Sequence, residues 1–244
     1  GYNRFQIAAL LQQNGVADKD AFLEATLDAS PIHDLAPGAQ SVEGFLFPAT
    51  YKFPRHAKPG EIVREMTDHF RVEWQSLSMD NPPPDLHTPR EIVTLASLVE
   101  SETPKTSERP VIAGVFLNRL RIGLPLQCDP TVIYALEEQG AYTGSLSLAD
   151  LRTDSPYNTY RHAGLPPGPI ANPGEASLRA ALHPDSVDYL YFVADTEGGH
   201  FFSRTLAEHN RNVARYRHLM GREDPKPIAP PRPARKKMGH KKKE

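Results

Sequence analysis

The chain has 244 residues, 39% apolar and 24% charged, with one cysteine and a net charge of −2. That is enough apolar material for one sizeable core or two modest ones, while a mean hydropathy of −0.50 and the lack of an apolar run of about 18 residues leave no membrane-spanning helix to be read in it. The lone Cys128 excludes an internal disulfide framework and any Cys-cluster metal site.

The charge is unevenly placed. Residues 224–244 carry six Lys and two Arg against Asp224 and Glu244, which leaves −8 on the rest of the chain. A basic tail on an acidic body is a polyelectrolyte arm and not a basic binding face, which counts against a nucleic-acid-binding core. Low apolar content and five prolines predict disorder for this Pro/Lys-rich tail, 223–244. The chain starts at Gly1 with neither Met nor a signal-peptide pattern, so the expectation is a fragment or processed form.

In chain order, Phe5, Ile7, Leu10 and Leu11 fall at helical spacing within Asn3–Gln13, and Gly15 marks the end. Asp18 or Asp20 caps a second helix that buries Phe22, Leu23 and Leu27. The Pro/Gly-bearing stretch from Ser30 to Gln40 reads as a linker or domain junction. In Glu43-Gly44-Phe45-Leu46-Phe47-Pro48, the proline confines the aromatic run to an edge strand or an extended loop. Ile62, Val63, Met66, Phe70 and Trp74 predict a helix of about four turns, broken at Asn81–Pro84.

Thr88-Pro89-Arg90-Glu91 opens the next helix, with a capping Thr, Pro in the first turn and Glu to close a capping box. Ile92, Leu95, Ala96 and Val99 share one face of it. A further helix is expected over Ser107–Arg121, with Gly123 as terminator. Ser147…Asp150, Asn172…Glu175 and Thr205…Glu208 repeat the pattern of a capping side chain three residues before an acid. Tyr189–Val193 reads as a buried strand, returned through Gly198-Gly199 by His200–Ser203 as a hairpin. Helices dominate and strands are few and local, so the class is α+β.

No phosphate loop, H-E-x-x-H, G-x-S-x-G or paired-Cys zinc spacing is present. The segment with chemical promise is Leu95–Thr103. Glu100 falls about 80° from the centre of the apolar face, at the border of the stripe. A carboxyl there is partly desolvated, which raises its pKa and suits a general acid. The competing reading is a solvated flank residue near a helix end. Glu102 lies as far round on the other side, so helical geometry leaves both acids open.

Asp154 to Asn172 is the second such region. Tyr157, Asn158, Thr159 and Tyr160 precede the proline-rigid run Gly164–Ile170, which makes a fixed wall with donors, acceptors and ring faces suited to sugars. A purely structural loop fits the same residues. In Gln127-Cys128-Asp129-Pro130-Thr131, Asp129 or Thr131 also serves as a simple helix cap.

Glu43–Pro48, Ala96–Glu100, Phe116–Leu120, Leu126–Tyr134, Tyr157–Tyr160, Gly164–Gly174 and Tyr189–Ala194, taken in order, resemble the YceG-like endolytic murein transglycosylases over residues 40 to 217. The first 38 residues resemble the end of that family's LysM-like module. The resemblance thus implies a mainly helical catalytic domain with a small sheet over 39–222, preceded over 1–38 by the C-terminal part of the LysM-like α+β module. Cys128 departs from the small polar residue expected at its position, and the basic tail is not a feature of the family.

By resemblance, the activity is cleavage of the β-1,4 bond between N-acetylmuramic acid and N-acetylglucosamine within glycan strands, leaving 1,6-anhydro ends. The family's essential acid corresponds to Glu100. The substrate-contact residues expected are Glu43, Asn118, Gln127, Asp129, Tyr157, Asn158 and Thr159, with no metal and no organic cofactor. The partners implied are peptidoglycan glycan strands and cell-wall synthases, with no nucleic acid. The location implied is the extracytoplasmic face of the bacterial inner membrane, held by a single-pass N-terminal anchor that this sequence does not contain. A non-catalytic peptidoglycan-binding module would keep the cleft and tolerate loss of Glu100. A hydrolytic muramidase would need a second carboxylate near it, such as Asp129 or Glu43.

Overall fold

The computed structural model describes residues 1–77 and 82–221, and in them seven α-helices build one core, a β-hairpin lies at its edge, and an eighth helix packs on the hairpin. In order these are α1 (Arg4–Gln13), α2 (Lys19–Ala25), α3 (Pro59–Ser76), α4 (Pro89–Glu102), α5 (Arg109–Arg121), α6 (Asp129–Glu138), α7 (Glu175–Leu182), β1 (Tyr191–Ala194), β2 (His200–Ser203) and α8 (Leu206–Leu219). The class is α+β, as the sequence predicts. No helix among the described residues is long and apolar enough to cross a membrane. The tail expected to be disordered lies outside the described residues.

Local chemistry explains most helix starts. Full capping boxes form at Asn3/Gln6, Thr88/Glu91 and Thr205/Glu208, each satisfying N–H groups that the first turn cannot bond internally. At α2 the cap is Asp18, whose carboxylate accepts from Ala21 N–H. Pro59, Pro89 and Pro110 sit in the first turns of their helices, where a missing N–H costs nothing. Thr88→Ala is expected to cost about 1 kcal/mol, read as a lower urea midpoint with unchanged slope; an unchanged midpoint would mean the cap contributes nothing.

α4 is the central element. All eight residues from Ile92 to Val99 are buried, more than one amphipathic face requires, because α5, α6 and α7 all pack against it. Aliphatic and aromatic side chains from Ile7 to Leu182 join in one continuous core, to which α1, α2 and α3 all contribute. Gly114 of α5 has no room for a side chain: a Cβ would meet the carbonyl of Asp185 at 2.5 Å. The hairpin pairs antiparallel, with Phe192 opposite Phe202 and Ala194 opposite His200.

Five expectations need correction. Ser147 and Asp150 do form reciprocal hydrogen bonds, but only the 3-10 turn Asp150–Arg152 follows. Pro156 lies just beyond it and no apolar stripe is available to pack a longer helix. Asn172 does not cap α7; the cap position is Gly174, because the Asn172 side chain is used elsewhere. Leu27 is 54% exposed, since α2 ends at Ala25 before the chain turns. The strand starts at Tyr191 and is half-exposed, having only β2 as neighbour. The helix expected from Ser107 starts at Arg109, after a 3-10 turn over Thr106–Glu108. Glu43–Tyr51 takes the extended-loop alternative, with no strand.

Candidate active site

Glu100 lies in the last turn of α4, where the helix leaves the core. Its side chain is 13% exposed, at the border of the apolar stripe. Two groups fix the carboxylate from opposite sides. Gly174 N–H donates to Oε2 at 3.2 Å, and the Arg109 guanidinium of α5 reaches Oε1 at 3.4 Å. Gly174 opens α7, so the positive end of that short helix also faces the acid.

Glu100 opens into a groove of about 290 Å³ with Asn3, Gln6, Tyr134 and Glu137 around it. Beside it runs a larger, mainly apolar groove of about 810 Å³ between α1, through Ile7 and Leu11, and the segment Pro48–Phe53. Asn172 reaches this second groove. Glu102, the competing acid, does not line the groove that holds Glu100. It sits beside the Cys128 thiol, where loss of solvation raises its pKa.

Glu43 stands behind the site and not in the groove with Glu100. It is buried, and Arg4 N–H donates to its two oxygens at 3.0 and 3.2 Å. Asn172 Nδ2 donates to Oε1 at 2.8 Å and to the Tyr2 carbonyl at 2.9 Å, while Asn172 Oδ1 accepts from Leu46 N–H at 2.8 Å. Asn172 thereby ties Glu43 to the loop that delivers Gly174 to Glu100. Burial pushes the Glu43 carboxyl up to about 7, against the opposing pull of Arg4.

A raised acid pKa has a definite sign for stability. The folded state keeps the proton to higher pH than the unfolded chain, so this contribution is complete below about pH 4.5 and lost as pH rises through about 7. Unfolding free energy is therefore expected to carry a downward slope over that window, and Glu43→Gln to flatten it. Urea titrations of both proteins across that range check this; identical slopes would contradict it.

The other sequence-predicted contacts divide. Tyr157 is half-buried, its ring 4.9 Å from that of Tyr134, and it lines a third cavity described below. Gln127 is exposed, in the left-handed region at φ 50, and donates its N–H to the Thr159 carbonyl. Asp129 is exposed in the first turn of α6 and accepts from the Tyr160 hydroxyl. Neither Gln127 nor Asp129 lines the groove of Glu100.

Asn118, Asn158 and Thr159 lie outside the groove of Glu100. Asn118 Nδ2 donates to the carbonyls of Val187 and Tyr189, and its Oδ1 accepts from Arg121. Asn158 is fully buried, its Nδ2 on the carbonyls of Leu151 and Thr153. Thr159 is buried against Thr131 and Cys128 N–H. Their polar atoms make hydrogen bonds within the fold that hold loops together.

Sequence reasoning missed Arg109, Glu137 and the part played by Gly174. Glu137 had a signal: Pro130, Ile133, Tyr134 and Glu137 recur at i, i+3, i+4 and i+7 on one face of α6, all four at the groove. Arg109 had none, since its approach to Glu100 depends on how α5 packs on α4. Among the described residues no group of three or more His, Cys, Asp or Glu side chains converges as metal ligands would.

Comparison with known proteins gives a consistent result. The YceG-like family model matches residues 1–215. An endolytic murein transglycosylase of Bacillus subtilis (strain 168) is 44% identical over 178 residues, covering 72% of this chain and 48% of that protein. One of Streptococcus pneumoniae (strain ATCC BAA-255 / R6) is 34% identical over 221 residues, 86% of this chain and 38% of that protein. The chain thus spans about half the length of these curated relatives, or less. A crystal structure of a yceG-like protein from Listeria monocytogenes superposes with a TM-score of 0.75 at 36% identity, over 86% of this chain and 73% of that one.

Proposed function

Since the chain belongs to the YceG-like family, we propose that it is an endolytic lytic transglycosylase, cutting the N-acetylmuramic acid–N-acetylglucosamine β-1,4 bond within peptidoglycan strands and leaving 1,6-anhydro ends. The observation that carries this reading is one half-buried glutamate, Glu100, held by Gly174 N–H and Arg109 in a groove beside a longer apolar one. The relatives named as murein transglycosylases supply the substrate class.

A single carboxyl suffices for this reaction, unlike the carboxylate pair of ordinary glycosidases. Glu100 protonates the departing glycosidic oxygen. The C6 hydroxyl of the same muramic acid then closes on C1, and Glu100 takes its proton back. No water is consumed. Glu43 and Asn172 act from behind by holding the Gly174 loop, and Tyr157 remains a candidate for contact with the substrate. Residues 1–38 are read as the end of a LysM-like module, 39–222 as the catalytic domain. The place of action is the extracytoplasmic face of the bacterial inner membrane, with an anchor outside this sequence and synthases as partners.

Hydrolysis is the second reading, because the groove does hold another carboxylate. It is Glu137, and neither Asp129 nor Glu43. Elimination predicts that Glu137→Gln retains more than about a third of wild-type turnover. Hydrolysis with Glu137 as base predicts a loss of about 10²-fold or more. An endolytic cut is tested by size-exclusion chromatography of digested glycan: mid-length fragments must appear early, and a steady release of disaccharides alone would contradict it.

A further inference from the structure

Arg90 and Tyr157 carry polar groups that the reaction at Glu100 does not use. Arg90 lies in the first turn of α4 and is half-buried. Its Nε is closed off from solvent without a hydrogen-bond partner, and among the described residues its guanidinium forms no ion pair. A charged donor group left without an acceptor is costly, so this guanidinium, whose Nη2 lies beside Gly168, calls for an acceptor from outside the chain.

Gly168 keeps the approach open. Its backbone lies outside the left-handed region, so conformation does not require glycine there. A Cβ would stand 3.3 Å from Arg90 Nη2 and 3.7 Å from the Tyr157 hydroxyl. Both groups face a cavity of about 290 Å³ between the Pro167–Pro169 wall and Ser41, with exposed Glu138 at one side and buried Glu43 at another. Glu43 already accepts from Arg4 and Asn172. Besides the neutral Gln40 and Ser41, the groups left to meet a ligand are one guanidinium, one phenol and one carboxylate.

That set discriminates between ligand classes. A simple anion is drawn by Arg90 and repelled by Glu138. An amino-acid group bearing both a free carboxylate and a free ammonium complements each charge. We propose that this cavity recognises such a zwitterionic amino-acid residue, with its carboxylate on Arg90 and Tyr157 and its ammonium toward Glu138, as borne by the peptide side chains of cell-wall glycan. The identity of the peptide rests on the reading of Glu100 as acting on that polymer. Arg90 precedes Glu100 by ten residues on one helix, about 15 Å along its axis. The site thus grips a substituent away from the reacting bond and selects which strands are cut.

The test uses a synthetic stem tripeptide ending in a diamino acid with free amine and carboxylate, its carboxamide and its N-acetyl analogue, titrated calorimetrically. The intact chain is expected to bind the free tripeptide. Arg90→Gln and the carboxamide each raise Kd by about 10-fold or more. Glu138→Gln and the N-acetyl analogue give smaller losses that fade with salt. In cleavage, Arg90→Gln lowers kcat/KM on peptide-bearing strands and leaves peptide-stripped glycan unchanged. Equal Kd for wild type and Arg90→Gln, or equal loss on both glycans, overturns the site. Binding of free tripeptide needs no turnover. Arg90-dependent binding by a chain that cuts nothing therefore supports this site while overturning the reaction; cleavage without such binding does the reverse.

Discussion

Replacing Glu100 by Gln is expected to lower turnover on peptidoglycan strands by at least about 10²-fold, with thermal stability nearly unchanged. The amide keeps the size of the side chain and an oxygen for Gly174 N–H, 3.2 Å away, but it has no proton for the leaving oxygen. Because the group is lost from the transition state alone, kcat should fall with KM little altered. Glu102→Gln should cost far less, since Glu102 sits beside Cys128, outside the groove that holds Glu100. Rates measured on the same glycan preparation check both; equal losses in the two variants would remove Glu100 from its role.

The largest structural effect is expected from Gly44→Ala. Gly44 adopts φ 89, which L residues avoid. A Cβ there would overlap the ring of Pro169 and stand 3.0 Å from Val93 Cγ1. Neither neighbour yields readily: Pro169 belongs to a proline-stiffened segment and Val93 is buried in α4. Backbone strain and overpacking together predict a loss of about 3–5 kcal/mol, or roughly 10 °C in Tm for a chain of this size. Gly123→Ala is the control, since Gly123 has φ 67 but open space around its Cβ, so only strain remains. Calorimetry on both separates the two terms. Equal shifts would show that contact with Pro169 contributes nothing.

The elements legible in the sequence were those whose cause is local. Thr88/Glu91 and Thr205/Glu208 are legible because the capping box and the helix behind it lie within a few residues. Ser147/Asp150 shows the limit of that reasoning. The box forms, yet capping only satisfies a few N–H groups, and propagation needs an apolar face to bury. Asn172 does not cap α7 because its amide has better partners in Glu43 and Leu46, more than 120 residues away in sequence.

The acid site shows the same division. Helical spacing placed Glu100 and Glu102 symmetrically about the apolar stripe. What separates them is tertiary: α7 presents Gly174 and α5 presents Arg109 to one acid, while Cys128 backs the other. For Asn158 and Thr159 the sequence shows the residue types and not the internal hydrogen bonds they make.

Mass spectrometry of the products formed by the wild-type chain from purified peptidoglycan strands tests the reaction most directly. Elimination through Glu100 alone predicts fragments ending in 1,6-anhydro-N-acetylmuramic acid, each one water lighter than its hydrolysed counterpart, with no oxygen-18 taken up from labelled water. Reducing ends carrying the solvent label would contradict it and establish hydrolysis in its place.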